Sequence, residues 1–86
     1  MTKCNYPKKV NIDTAIYRKN LGRRIKKLRG KVSPEEFANE LGVTARTLEA
    51  WETGKSIPTL ANLILIAFLC SVSLTELVTG YSETDM

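Results

Sequence analysis

No histidine occurs in this chain of 86 residues, and its two cysteines, Cys4 and Cys70, lie far apart. The commonest general base is therefore missing, and so is any zinc-ligand spacing. The sequence also has no cysteine beside a base, no carboxylate cluster in an evident cleft and no glycine-rich phosphate loop, so catalysis is not expected. Two distant cysteines make no disulfide framework, and Cys70, set in an apolar run, reads as a small core hydrophobe. Long apolar runs are missing too. The longest, Leu63 to Cys70, is eight residues, against the ~20 that a membrane span needs. No secretory signal opens the chain. No stretch alternates at period two for long, and no internal repeat or low-complexity segment appears, so no sheet is expected. These absences point to a cytoplasmic chain that holds no metal and no cofactor and does not enter a membrane.

What is present is a helical pattern and an uneven charge. One domain is the limit for this length, with a core that buries roughly 60% of the unfolded surface. The net charge of +4 conceals a strong asymmetry. Eleven cations in the first 31 residues, including Arg18, Lys19, Arg23, Arg24, Lys26, Lys27 and Arg29, face only Asp13, which leaves +10. The other 55 residues set Arg46 and Lys55 against eight acids, which leaves −6. Such a block attracts polyanions, although a solvated helix face with a basic tail would carry the same charges.

Residues 1–12 read as a basic arm, 13–80 as the folded domain and 81–86 as a polar tail. A first helix is expected from Asp13 or Thr14, with Tyr17, Leu21, Ile25 and Leu28 on its inner face and Gly30 at its end. Ser33-Pro34-Glu35-Glu36 is a capping box with proline in the first turn. It opens a second helix that buries Phe37, Ala38 and Leu41 and stops at Gly42. Val43 reads as a buried turn residue. Thr44 caps a third helix, which turns Leu48 and Trp51 inward and ends at Gly54. Thr59 opens a fourth, with Leu60, Leu63, Ile64, Ile66, Ala67, Leu69 and Cys70 assigned to the core. Ser73-Leu74-Thr75-Glu76 opens a short fifth, which ends at Gly80. The fold class is all-α.

Two short helices joined by a glycine turn, over residues 33–54, form a helix-turn-helix, whose second helix can enter a DNA major groove about 12 Å wide. Thr44, Ala45, Arg46, Thr47, Glu49 and Ala50 supply its outer face. The run Ser33 to Thr44, with Leu48, Trp51-Glu52-Thr53-Gly54-Lys55, Ile57-Pro58-Thr59-Leu60, Leu63, Val72-Ser73-Leu74 and Glu76-Leu77, resembles the phage repressor and Cro family of helix-turn-helix proteins. The resemblance covers residues 21–80. It implies a five-helix repressor-like domain that binds double-stranded DNA as a homodimer on two-fold symmetric sites. It further implies that Ala45, Arg46 and Ala50 face base edges over a recognition helix at 44–53, with Thr44 and Thr47 beside them. Thr53 and Lys55 match phosphate-binding loop positions, and Arg23 joins them from the basic block. Arg29 and Glu52 match a partly buried ion pair between the first and third helices.

The chain departs from the family at Pro34, where glutamine is common. Proline brings neither a side-chain donor nor an N–H. The link from Arg29 to Ser33 is shorter than usual, which bears on the Arg29–Glu52 geometry. With alanine at two reading positions, Arg46 is left as the one strong reader, able to take guanine in a bidentate way. A phosphate clamp would use the same side chain. Glu49 reads as a solvated charge, an intramolecular partner for Arg46, or an acceptor from cytosine. Trp51 reads as core.

Ala61, Leu65, Phe68 and Val72 make a second apolar stripe on the fourth helix, opposite the assigned core face. Such a stripe marks an interface, with a second copy as the expected occupant. The alternative is that the arm covers it through Val10, Ile12 or Ile16. Two functions follow. The first is a sequence-specific transcription regulator. The second is a protein-interaction module, antitoxin-like or a regulatory subunit, that docks through this stripe. No small-molecule ligand is expected.

Overall fold

The computed structural model describes residues 14–81. The arm, the Asp13 cap, Cys4 and residues 82–86 lie outside that range. Among the described residues all regular structure is helical: α1 (Thr14–Arg29), α2 (Pro34–Leu41), α3 (Ala45–Glu52), α4 (Leu60–Leu69) and α5 (Leu74–Thr79).

Cap chemistry sets the starts of four helices. Ser33 Oγ accepts from Glu36 N at 3.1 Å, Thr44 Oγ1 from Thr47 N at 3.1 Å, Thr59 Oγ1 from Asn62 N at 3.2 Å and Ser73 Oγ from Glu76 N at 3.0 Å. Each bond satisfies a donor that the helix cannot use, for about 1 kcal/mol. Gly42, at φ 73°, ends α2 in the left-handed conformation, and the Val43 N–H reaches back to Ala38 O at 3.0 Å. That turn is tight enough to launch α3 directly.

The core joins all five helices through Leu21, Ile25, Phe37, Ala38, Leu41, Leu48, Trp51, Leu63, Ile66, Ala67 and Leu77. Leucine and isoleucine buried to this depth contribute roughly 1.5–3 kcal/mol each. The helix α1 lies across both α3 and α5, α2 packs on α3, and α4 packs on α5 and α2. Tyr17 departs from the expected inner face. Its ring is partly exposed while its hydroxyl donates to Val78 O at 3.1 Å. Leu28, Val43 and Cys70 are half-buried against the core. Burial pushes the Cys70 thiol up from its ordinary value, in keeping with a packing role.

The fourth helix corrects the expected stripe. Leu65 and Val72 are half-buried and pack against the core, whereas Leu60 and Ile64, assigned inward from the sequence, are 64% and 52% exposed. Phe68 is 78% exposed, and Ala61 is exposed beside it. Only Leu63, Ile66 and Ala67 of α4 are buried. The periodicity of an apolar helix cannot show which of its flanks the neighbours occupy. Here α5 folds back on α4, and the stripe left open runs Ile57, Leu60, Ile64, Phe68, with Ala61 alongside.

Candidate nucleic-acid interface

The outer face of α3 is set by what its inner face does. Leu48 is fully buried and Trp51 nearly so. At 3.6 residues per turn these two anchors leave Arg46 and Glu49 exposed, with Thr44 exposed at the cap. Ala45, Thr47 and Ala50 are half-buried on the flanks, and Ala45 packs against the core. Of the side chains expected to read bases, Arg46 alone reaches freely outward. The Thr44 hydroxyl accepts the Thr47 N–H and donates to Thr47 Oγ1 at 3.0 Å, so this pair braces the start of the helix.

A frame behind α3 fixes its position. Arg29 Nε donates to Glu52 Oε2 at 2.7 Å, Arg29 Nη2 donates to Glu52 Oε1 at 3.2 Å, and Arg29 Nη1 donates to Val32 O at 2.7 Å. The expected ion pair therefore forms in spite of the short link, with side chains only 11% and 8% exposed. The bidentate bond to Glu52 raises the Arg29 pKa above its already high value. Next to it, Gly22 lets α1 cross the end of α3. A Cβ there would stand 2.4 Å from Trp51 O and 2.6 Å from Glu52 O.

Together α1, α2 and α3 enclose an open cleft beside the outer face of α3. Its walls include Lys26, Pro34, Glu35, Ala45, Arg46 and Glu49. The sequence does not single Lys26 out from the other cations of the basic block. It lies one turn after Arg23 on α1, and the signal was the i, i+3 spacing once α1 was known to cross α3. Lys19, Arg23, Lys26, Lys27 and Lys31 are exposed. Three other cations of the basic block act inside the fold. Arg29 is paired as above. Arg18 Nε donates to Gly54 O at 3.1 Å, and Arg24 donates to Leu77 O at 2.8 Å and Val78 O at 3.0 Å.

The loop after α3 is less open than its sequence suggests. The N–H groups of Lys55 and Ser56 donate to Ala50 O at 2.9 and 3.3 Å. The Thr53 hydroxyl donates to Glu49 O at 2.8 Å. To donate to a phosphate, Thr53 would first have to break that bond. The exposed ammonium of Lys55 has no such constraint.

A helix-turn-helix family profile matches residues 23–77 of the chain. An uncharacterized helix-turn-helix-type transcriptional regulator from Haemophilus influenzae is 40% identical over 62 residues, covering 71% of this chain and 26% of its own length. The chain thus spans about a quarter of that relative. The crystal structure of a hypothetical transcription factor, NHTF, from Neisseria superposes with a TM-score of 0.66 at 21% identity, over 96% of this chain and 94% of that one, which shows a shared fold. A turn closed by Gly42, an α3 held by Leu48, Trp51 and Glu52, and a matching profile over residues 23–77 make this chain a member of the helix-turn-helix family of the phage repressor and Cro type.

Proposed function

We propose that the chain is a sequence-specific DNA-binding transcription regulator of the cytoplasm that inserts α3 into the major groove as a homodimer. One observation carries the reading. Arg46 stands exposed on a helix whose orientation is fixed by a bidentate ion pair, two buried anchors and a glycine contact. Such a helix holds the base of the Arg46 side chain at a fixed place, from which the guanidinium can reach a base edge. The exposed lysines and Arg23 of α1 supply attraction that does not depend on sequence. Lys55 is the phosphate-facing residue of the loop, joined by Thr53 once its hydroxyl leaves Glu49 O, and Ala45, Ala50, Thr44 and Thr47 offer apolar or hydroxyl contacts beside Arg46. The name of the Haemophilus relative supports a regulatory role.

The second copy docks on the stripe Ile57, Leu60, Ala61, Ile64 and Phe68. No charged residue occurs between Leu60 and Leu69. Two such faces bury on the order of 1,000 Å² together, the lower limit for a biological interface. In a symmetric dimer the two recognition helices sit about 34–36 Å apart, one turn of DNA.

Selection from a randomised DNA pool at two salt concentrations tests the reading. A two-fold symmetric site whose affinity falls with salt is the expected result. An unenriched pool at both concentrations would remove the DNA-reading function and leave the stripe of α4 as a docking face for another protein.

A further inference from the structure

We infer that Glu49 is a second specificity-determining residue, one that selects a cytosine beside the base pair read by Arg46. The inference rests on the DNA-reading function proposed above. Glu49 is exposed on the outer face of α3 and lines the same cleft as Arg46, one helical turn further along. The other charged groups on the walls of that cleft are Lys26 and Arg29 from α1, Glu35 from α2, and Arg46 and Glu52 on its own helix. An Arg46–Glu49 pair was one of the readings open to the sequence, and it does not form. Among the described residues the Glu49 carboxylate has no ion-pair partner, while the one short arginine–glutamate pair present is Arg29–Glu52.

An unpaired carboxylate carried into a groove lined with phosphates is repelled unless a donor meets it. In the major groove, donors come from the exocyclic amines of cytosine and adenine. Beside the adenine amine lies N7, an acceptor that repels a carboxylate. The paired base puts an acceptor beside either amine, but on its own ring the cytosine amine is flanked only by a C–H, so the carboxylate favours cytosine. Along α3 the three-residue step from Arg46 to Glu49 rises about 4.5 Å, comparable with the ~3.4 Å between base pairs. The two side chains therefore address neighbouring pairs. Glu49 also opposes indiscriminate binding, because its charge disfavours every site that lacks the donor. With alanine at positions 45 and 50, this second reader supplies discrimination that Arg46 alone does not.

The test uses the full chain and its Glu49→Ala and Glu49→Gln variants in the same randomised-pool selection, with helicity and melting temperature as controls for folding. The wild type is expected to enrich a cytosine at one position of each half-site. Glu49→Ala should flatten that position by roughly tenfold while leaving the others intact, and should bind unrelated duplex more tightly. Glu49→Gln should shift the same position toward adenine, which glutamine reads in a bidentate way. A wild-type site that emerges unchanged with both variants overturns this inference and leaves the regulator reading standing. A wild type that enriches no site overturns both.

Discussion

The half of the molecule built from α1, α2 and α3 and the half built from α4 and α5 use their surfaces in opposite ways. On the first, Arg46, Glu49, Lys26 and Arg23 stand exposed over a frame that fixes their helices. On the second, α4 is uncharged along its length and leaves Leu60, Ile64 and Phe68 to solvent. The polar face depends on rigidity, since a base reader is selective only when its position is fixed. The apolar face depends on area, since burial is non-directional and scales with surface removed from water. Damage to the frame should therefore affect stability and DNA binding together, whereas damage to the stripe should spare the fold and affect assembly.

The comparison breaks most severely at Glu52. Glu52→Ala leaves the part-buried Arg29 guanidinium with only the Val32 carbonyl as partner, and should lower stability by about 3 kcal/mol in urea titration, the upper end for hydrogen bonds to a charged group. Gly22→Ala forces a methyl group onto the carbonyls of Trp51 and Glu52 and should cost about 2 kcal/mol, with loss of site-specific binding. Phe68→Lys should leave the melting temperature close to the wild-type value while weakening the dimer by about 2 kcal/mol, roughly thirtyfold in sedimentation equilibrium. A fall in melting temperature as large as that of Gly22→Ala would mean that Phe68 serves the fold and not assembly. Lys26→Ala should have the smallest effect, a uniform loss of affinity across sequences with the salt slope reduced by about one.

Features coded within a few residues were legible in the sequence. Ser33, Thr44, Thr59 and Ser73 were recognisable as caps because a cap and its partner lie three residues apart. Leu48 and Trp51 could be placed inward for the same local reason. The Arg29–Glu52 pair was accessible through family resemblance, not through spacing. What stayed hidden depends on distant neighbours. Arg24 looked like one more cation of a basic block, yet its partners Leu77 O and Val78 O lie 53 and 54 residues away. The open side of α4 was misjudged because α5, not the sequence of α4, decides which flank is covered. At the candidate site, the exposure of Glu49 was foreseeable, but the absence of a pair with Arg46 was not.

The two bonds that converge on Val78 O have a consequence for how the chain opens. Tyr17 and Arg24 reach that oxygen across 61 and 54 residues, so among the described residues they are the hydrogen bonds that close the longest loops. Loop-closure entropy favours the early joining of α2 to α3 and delays this latch until the chain is nearly assembled. Unlatching is correspondingly the first excursion expected from the native state. Amide hydrogens of α5 should exchange faster than those around Leu48. A protease given brief access should cut near Gly80 before it reaches α3.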